Sequence, residues 1–179
     1  MNKKLNSINN NLHKRVSIWI QKNLIKTNTN KLLLDIAAGN GKHSSFAKLK
    51  GYITIATDLD LRKLKNINSS YSLNINFETK YNWPFKKNSI DVILVTNYLY
   101  RSLFNKILDT LKPNGILLYE TFSVENKAFG RPNNPDFLLK PQELYFFAKN
   151  NKMKIIKYEE LILSFPRKKA IQRIHAKKL

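Results

Sequence analysis

The sequence contains no cysteine and few acidic residues. Without cysteine, disulfide bonds, thiolate zinc sites and cysteine nucleophiles are excluded. The three histidines lie far apart, and we predict no metal site. Only 12 Asp and Glu residues face 32 Lys and Arg residues, which leaves a net charge of +20 over 179 residues. So strong a positive field attracts phosphates, acidic proteins or anionic surfaces.

The origin of this charge stays open between selection and composition. Most of the excess is lysine, as a biased base composition would also produce. Proteins that read nucleic acids typically cluster arginine for bidentate contacts, whereas the six arginines here lie far apart. Only the C-terminal segment resembles a basic patch, which runs from Arg167, Lys168 and Lys169 to Lys177 and Lys178.

Long apolar runs are also missing. No segment approaches the roughly 18 apolar residues of a membrane-spanning helix, and the apolar run near the basic N-terminus is too short for a signal peptide. We therefore expect a cytoplasmic monomer without membrane contact. The length suits one domain, and we predict a single domain over 1–179, with a helical extension over 1–30 and the core over 31–179.

Short apolar runs alternate with amphipathic stretches along the chain. The expected strands are 32–37, 52–57, 73–77, 90–96, 116–121, 153–163 and 170–176, and the expected helices are 8–26, 42–50, 60–68, 99–111 and 141–150. Continuous apolar runs are typical of parallel strands buried on both faces. The alternation predicts an α/β fold with a doubly wound, mostly parallel, seven-stranded, Rossmann-like sheet. The last two strands are expected to form an antiparallel hairpin.

A turn with two glycines follows the first apolar run. The segment from Asp35 to Gly41 joins a predicted strand to a predicted helix, at the edge where such sheets bind ligands. A dinucleotide fingerprint would have a third glycine at Ser44, so NAD is disfavoured. The acid before the turn suits a cationic ligand. Asp58, 17 residues past Gly41, suits a ribose diol.

Four segments in chain order resemble the successive motifs of class I S-adenosylmethionine-dependent methyltransferases. They are Leu33–Gly41, Ile55–Asp58, Asp91–Val95 and Leu111–Leu117. Further segments look similar to small, largely uncharacterised bacterial methyltransferases distantly like the tellurite-resistance methyltransferases. These are Trp83–Phe85, Asn97–Arg101, Glu120–Phe122, Phe129–Leu139 and Ile171–Ile174. One departure is Ala37, which stands where the family usually has its first glycine.

The resemblance implies that S-adenosylmethionine is the cofactor and assigns residues to it. Asp35 would orient the methionine amino group, and Asp58 would hold the ribose hydroxyls. Gly39 and Gly41 would admit the methionyl-ribose part of the cofactor. Each assignment has an alternative, because both aspartates could be helix N-caps and both glycines could serve only the geometry of the turn.

Two further cofactor contacts follow from the resemblance. Glu78 would meet the adenine amine or be a solvated carboxylate. Asn97 would lie beside the sulfonium or cap a loop. The segment from Asn97 to Tyr100 lacks the two prolines that adenine and glutamine amide-nitrogen methyltransferases have at this point. We therefore do not expect this chain to methylate those nitrogen atoms.

Candidates for the acceptor side come from the ends of the fourth and fifth strands. If the acceptor must lose a proton, Glu120, Tyr98 and Tyr100 are the candidate catalytic residues, although Glu120 could equally anchor a loop. Arg101 and Arg131 would bind an anionic acceptor or form ion pairs. The polar segment from Ser123 to Leu139 is expected to be a long loop. Its part Gly130–Leu139 is expected to be either a substrate lid or a rigid surface loop.

The leading prediction is an enzyme that transfers a methyl group from S-adenosylmethionine to an unidentified acceptor. The alternative is a catalytically retired cofactor-binding subunit that acts as a basic RNA- or protein-interaction module. The acceptor is a small molecule, an RNA or a protein. No inserted recognition domain is evident in the sequence, so we expect no sequence-specific reading of duplex DNA.

Overall fold

The computed structural model describes residues 16–65, 67–79, 83–164 and 166–179. The strands in these ranges are β1 Leu32–Ile36, β2 Ile53–Asp58, β3 Tyr71–Asn74, β4 Ile90–Thr96, β5 Leu111–Phe122, β6 Lys154–Leu163 and β7 Lys169–Lys177. The helices are α1 Ile18–Asn23, α2 Lys42–Leu49, α3 Leu61–Leu64, α4 Phe104–Thr110 and α5 Glu143–Asn150. The strands form a mixed seven-stranded sheet of order β3-β2-β1-β4-β5-β7-β6, which confirms the predicted fold class.

The residues up to Asn76 form one compact unit. Its three strands are parallel, with Ile55 of β2 lying opposite both Leu34 of β1 and Tyr71 of β3. β1 is almost wholly buried, whereas β3 is exposed along its whole length. Parallel pairing brings the carboxyl ends of β1 and β2 to the same edge of the sheet. The turn with the two glycines begins at that edge.

The residues from Phe77 onward form a second compact unit. β4 and β5 are parallel, with Thr96 opposite Glu120, and β7 runs antiparallel to both β5 and β6. The predicted C-terminal hairpin is therefore confirmed. β4 is buried over most of its length, as expected of a central strand covered on both faces.

Several elements differ in extent from their predictions. β5 begins at Leu111 instead of 116, and α4 begins at Phe104 instead of 99, after a 3-10 turn at Arg101–Leu103. Of the helix predicted over 8–26, the structure shows α1, and residues 8–15 of that prediction lie outside the described residues. The helix predicted over 60–68 is the single turn α3. The strand predicted over 73–77 ends at Asn74, because β3 is fully exposed and apolar burial does not mark its position.

The domain division predicted from length stays a prediction. Within the described part of the chain, no helix combines the length and the apolar character that crossing a bilayer requires.

Candidate functional site

Asp35 is a fully buried carboxylate near the carboxyl end of β1. The hydroxyl of Ser44, in the first turn of α2, donates to its Oδ2 at 2.6 Å. Its Oδ1 has no hydrogen-bond partner among the described residues. A buried polar atom without a partner is costly, so such atoms often mark the place where a ligand binds.

Burial raises the pKa of Asp35 from 3.8 to about 7. Hydrogen bonds from Ser44 and the charge of Lys42 lower this pKa but do not offset the lost hydration, and the charge of Asp58 raises it further. A positive group placed at Oδ1 would favour the ionised carboxylate. The site therefore suits a ligand with a cationic end.

The turn after β1 has a left-handed backbone at three positions, Ala37 at φ 54°, Gly39 at φ 57° and Gly41 at φ 66°. A Cβ built on Gly39 would meet nothing within 4 Å, whereas one on Gly41 would overlap the side chain of Ile67. The two glycines therefore differ. Gly41 is required by packing, and Gly39 faces open space that a ligand can enter.

Asp58 joins this turn to the end of β2. Its Oδ2 accepts the Gly39 N–H at 2.8 Å, and its Oδ1 accepts the Asp60 N–H at 2.9 Å. The N-cap of α3 is Asp60, which accepts from the Arg62 N–H, so the N-cap alternative for Asp58 is wrong. Each carboxylate oxygen keeps a further lone pair for a donor from a ligand.

The N-cap alternative for Asp35 is also wrong in its simple form. Gly41 occupies the N-cap position of α2 and provides no side-chain cap. Asp35 instead reaches the same helix end through its bonds with Ser44. Asp35 thereby fixes the position of the helix that follows the turn.

Ala37 takes a left-handed conformation that costs an alanine about 1–2 kcal/mol. We expect Ala37→Gly to raise the free energy of unfolding by about 0.5–1 kcal/mol, because part of the gain is lost to the greater freedom of unfolded glycine. Chemical denaturation measures the change. The control is Ala38→Gly, at a buried neighbour outside the left-handed region, which should lower stability. Equal effects of the two changes would contradict the assignment of strain to Ala37.

In the second unit, Glu78 and Tyr98 are brought together. The Tyr98 hydroxyl donates to Oε1 of the exposed Glu78 at 3.3 Å. Burial and the neighbouring Glu78 carboxylate raise the pKa of Tyr98 well above its ordinary value. Tyr98 therefore keeps its proton at neutral pH and is a poor general base. Tyr100 is partly buried and precedes a 3-10 turn at Arg101–Leu103.

Asn97 follows β4 directly and is exposed, with φ 53°. Its backbone N–H donates to the carbonyl oxygen of Glu120 at 2.9 Å. Asparagine is one of the few residues that tolerate this conformation. The turn thus leaves the Asn97 side chain at the carboxyl edge of β4, and its contact with a cofactor stays a prediction.

Arg101 makes an ion pair, which was one of the two roles predicted for it. Its Nε and Nη2 donate to the two carboxylate oxygens of Glu143 at 2.6 and 2.9 Å. Its Nη1 and Nη2 also donate to the carbonyls of Asp136 and Leu138. Four of the five guanidinium N–H groups are therefore used by the protein, which favours a structural role over acceptor binding.

Glu120 is buried within β5 and forms an ion pair with Arg173 of β7 at 3.5 Å. The two residues lie directly opposite each other in the antiparallel pairing. Arg173 also pairs with Glu159 of β6. Glu120 therefore anchors β7 to β5, and this position favours the anchoring alternative over a role as general base.

The loop Ser123–Leu139 is tied to the rest of its unit. Asn126, buried in the loop, donates to the Pro132 carbonyl at 2.9 Å and accepts from the Ala170 N–H at 3.3 Å. Arg101 adds the two carbonyl contacts described above. These bonds favour the rigid-loop alternative over a lid. Sequence reasoning missed Asn126 and Glu143, because neither lies in a motif.

Arg131 lies in this loop and its side chain is exposed. No hydrogen bond or ion pair to it occurs within the described ranges, so its guanidinium remains available to an acceptor.

Known proteins support the fold and the family. A family model described as a methyltransferase domain matches residues 34–119. The chain is similar to geranyl diphosphate C-methyltransferase from Streptomyces coelicolor A3(2), with TM-score 0.68 and 13% identity over 90% of this chain and 78% of that one. It is also similar to TehB from Haemophilus influenzae, with TM-score 0.65 and 17% identity over 85% of this chain and 59% of that one.

A third similar structure is a SAM-dependent methyltransferase from Methanosarcina mazei, with TM-score 0.64 and 16% identity over 92% of this chain and 98% of that one. Identities this low show the fold alone. Among curated proteins, none matches the sequence. The family match begins within β1 and ends within β5, so this part of the chain matches a methyltransferase domain, in agreement with the activity that the ordered motifs predicted.

Proposed function

We propose that the turn after β1 binds S-adenosylmethionine and that the chain transfers its methyl group to an acceptor still to be identified. The observation that carries this proposal is the buried Asp35, whose Oδ1 has no partner in the described structure. When bound, the cofactor would supply a methyl carbon on a positively charged sulfur. A lone pair of the acceptor bonds to that carbon, and the carbon–sulfur bonding pair stays with the departing sulfur.

Asp35 would bind the ammonium of the methionyl group. A lone carboxylate in this buried position is disfavoured, as its raised pKa of about 7 indicates. An ammonium at Oδ1 would supply both the missing hydrogen-bond donor and the opposite charge. The same residue therefore gives the site its preference for a zwitterionic ligand over a neutral one.

Asp58 and Gly39 would hold the ribose. Asp58 already accepts two backbone N–H groups, which fix its carboxylate in one orientation. The remaining lone pairs suit a pair of neighbouring hydroxyls. The open space at Gly39 lets a ligand approach the backbone closely. Gly41 needs no ligand contact to explain it, because Ile67 occupies the space beside it.

We propose that catalysis depends on alignment rather than on a strong general base. Tyr98 keeps its proton, and Glu120 is held by Arg173. A sulfonium is already activated, and alignment of reacting groups alone can contribute about 7–11 kcal/mol. Tyr98 can still orient an acceptor as a neutral hydrogen-bond donor or acceptor. The contacts of Glu78 with adenine and Asn97 with the sulfonium remain parts of the proposal, as do a cytoplasmic location and a monomeric state.

Calorimetry with S-adenosylhomocysteine and NAD tests the cofactor assignment. We expect the first ligand to bind and the second not to bind. Asp58→Ala should weaken binding about tenfold or more, since charged hydrogen bonds would be lost. Asp60→Ala is the matched control, because the Asp60 side chain caps α3 through the Arg62 N–H, while the backbone N–H that Asp60 donates to Asp58 is kept in the variant. Preferential binding of NAD would overturn the proposal, and equal affinities of both variants would overturn the ribose assignment.

A labelled-methyl assay in cell extract separates an active enzyme from a retired subunit. The extract is divided into small-molecule, RNA and protein fractions after incubation with the protein and labelled S-adenosylmethionine. We expect label in one fraction, and heat-inactivated protein provides the baseline. Cofactor binding with no transfer into any fraction would favour the retired subunit.

A further inference from the structure

Three consecutive cations, Arg167, Lys168 and Lys169, lie where β7 begins. We call them the basic cluster. β7 runs antiparallel to β5, with Ile171 opposite Phe122, so the start of β7 lies at the carboxyl end of β5. Parallel strands of this architecture bind ligands at their carboxyl ends. The basic cluster is therefore at the ligand-binding edge of its unit.

Each member of the basic cluster is held by the loop that follows β5 or by the end of β5 itself. The guanidinium of Arg167 packs against Gly130, where a built Cβ would lie 2.7 Å from Nη2. The Lys168 ammonium lies 4.7 Å from the ring centre of Phe129, and that of Lys169 lies 5.7 Å from the ring centre of Phe122. Such contacts orient a cation without neutralising it.

No acidic side chain pairs with the basic cluster within the described ranges, where the recorded ion pairs all involve other cations. Arg167 and Lys168 are exposed, and so is the neighbouring Arg131. Arg101 and Arg173 of the same unit are paired with glutamates. The protein thus neutralises its structural arginines and leaves these cations uncompensated at one edge.

Lys177 and Lys178, which the sequence analysis included in the same patch, lie at the other end of β7. The nine residues of β7 separate the two ends of the patch by about 27 Å. In addition, Lys178 Nζ donates to Asn88 Oδ1 and to the carbonyl oxygens of Leu108 and Leu111. Lys178 therefore has a structural role, and the C-terminal cations lie apart from the basic cluster.

We infer that the methyl acceptor carries phosphate and that the basic cluster binds it. This inference rests on the proposed function and names the chemical class of its acceptor. Arg167 suits a bidentate contact with a phosphate, and the two lysines add positive charge beside it. The aromatic rings beneath the lysines fix them in place. The phosphate belongs either to a small phosphate ester or to the backbone of a single-stranded RNA.

The test compares two triple variants that carry the same change in charge. One is Arg167→Glu, Lys168→Glu and Lys169→Glu. The other, the control, is Lys149→Glu, Lys154→Glu and Lys177→Glu. Lys154 lies opposite Lys177 at the other end of the hairpin, and Lys149 lies in α5, which precedes β6. Binding of inorganic pyrophosphate is measured by calorimetry and binding of a short labelled single-stranded RNA by anisotropy. S-adenosylhomocysteine binding is measured for every protein.

We expect the basic-cluster variant to lose about tenfold or more in affinity for at least one probe while the control loses little. Dependence of pyrophosphate binding on the cluster indicates a small phosphate ester. Dependence confined to RNA, with a salt slope near −2 from about three phosphate contacts, indicates RNA. Equal losses in both variants, or no binding of either probe, would overturn the inference. Failure of S-adenosylhomocysteine to bind the wild type would instead overturn the proposed function.

Discussion

Asp35→Asn should abolish cofactor binding and at the same time stabilise the ligand-free protein above neutral pH. Loss of one partner of a buried ion pair weakens binding by about 100-fold or more. The free protein gains because a neutral amide replaces a carboxylate that burial disfavours. Its oxygen can still accept the Ser44 hydroxyl. Calorimetry with S-adenosylmethionine and thermal unfolding measure the two effects.

The effect of Asp35→Asn on the free energy of unfolding should depend on pH. Folded Asp35 holds its proton more tightly than the unfolded chain, with a pKa of about 7 against 3.8. Its contribution to stability is therefore present below about pH 4 and is lost as the pH rises through about 7. The stability advantage of Asp35→Asn over the wild type should grow between about pH 4 and pH 7 and then level off.

The stability of the wild type falls as the pH rises through this range, whereas its affinity for the cofactor should increase. An ammonium binds the ionised carboxylate, so affinity should rise with pH up to about 7 and then level off. Asp109→Asn, at a half-exposed acid paired only with Lys87 among the recorded ion pairs, is the control and should change neither profile. An Asp35→Asn protein that binds the cofactor normally would place the ammonium elsewhere.

Substitution of Gly39 should remove cofactor binding while the protein still folds. A side chain at this position would project into space that no protein atom occupies within 4 Å of the Cβ. Gly39→Val tests this, but a β-branched residue at φ 57° also strains the backbone. Gly39→Asn places a side chain in the same space with little strain, because asparagine tolerates the left-handed region. Calorimetry should detect no S-adenosylhomocysteine binding for either variant.

The matched control is the same change at the second glycine of the turn. Gly41→Asn has the same tolerance for a positive φ, but its side chain would overlap Ile67. It should lower the free energy of unfolding, whereas Gly39→Asn should leave it nearly unchanged. Two variants that are equally unstable would show that Gly39 is also structural. Normal binding by folded Gly39→Asn would place the cofactor outside this turn.

The succession of strands along the chain and the turn after β1 could be predicted because both depend on local sequence. Buried strands are continuous apolar runs, and the spacing from Asp35 to Asp58 follows from strand, turn and helix. β3 was placed too late, because an exposed edge strand carries no such run. The fold was therefore predictable where burial determines it and less so at the edge.

The partners of the charged residues could not be predicted in the same way. Arg101 meets Glu143 from 42 residues away, and Glu120 meets Arg173 from 53 residues away. The sequence left two roles open for Arg101, an acceptor contact or an ion pair, and two for Glu120, a general base or a loop anchor. Only the folded chain decides between them, because the distance along the sequence carries no signal for a pair of this kind.

The attachment of the Ser123–Leu139 loop affects how acceptor preference can be re-engineered. A segment held by Asn126 from within and by Arg101 from outside is a preformed surface, and its shape depends on residues that precede and follow it. Grafting the loop alone onto a related enzyme should give a misfolded insert. A successful transplant would have to carry Arg101 and Glu143 with the loop, because the loop and these two residues form one unit for acceptor binding.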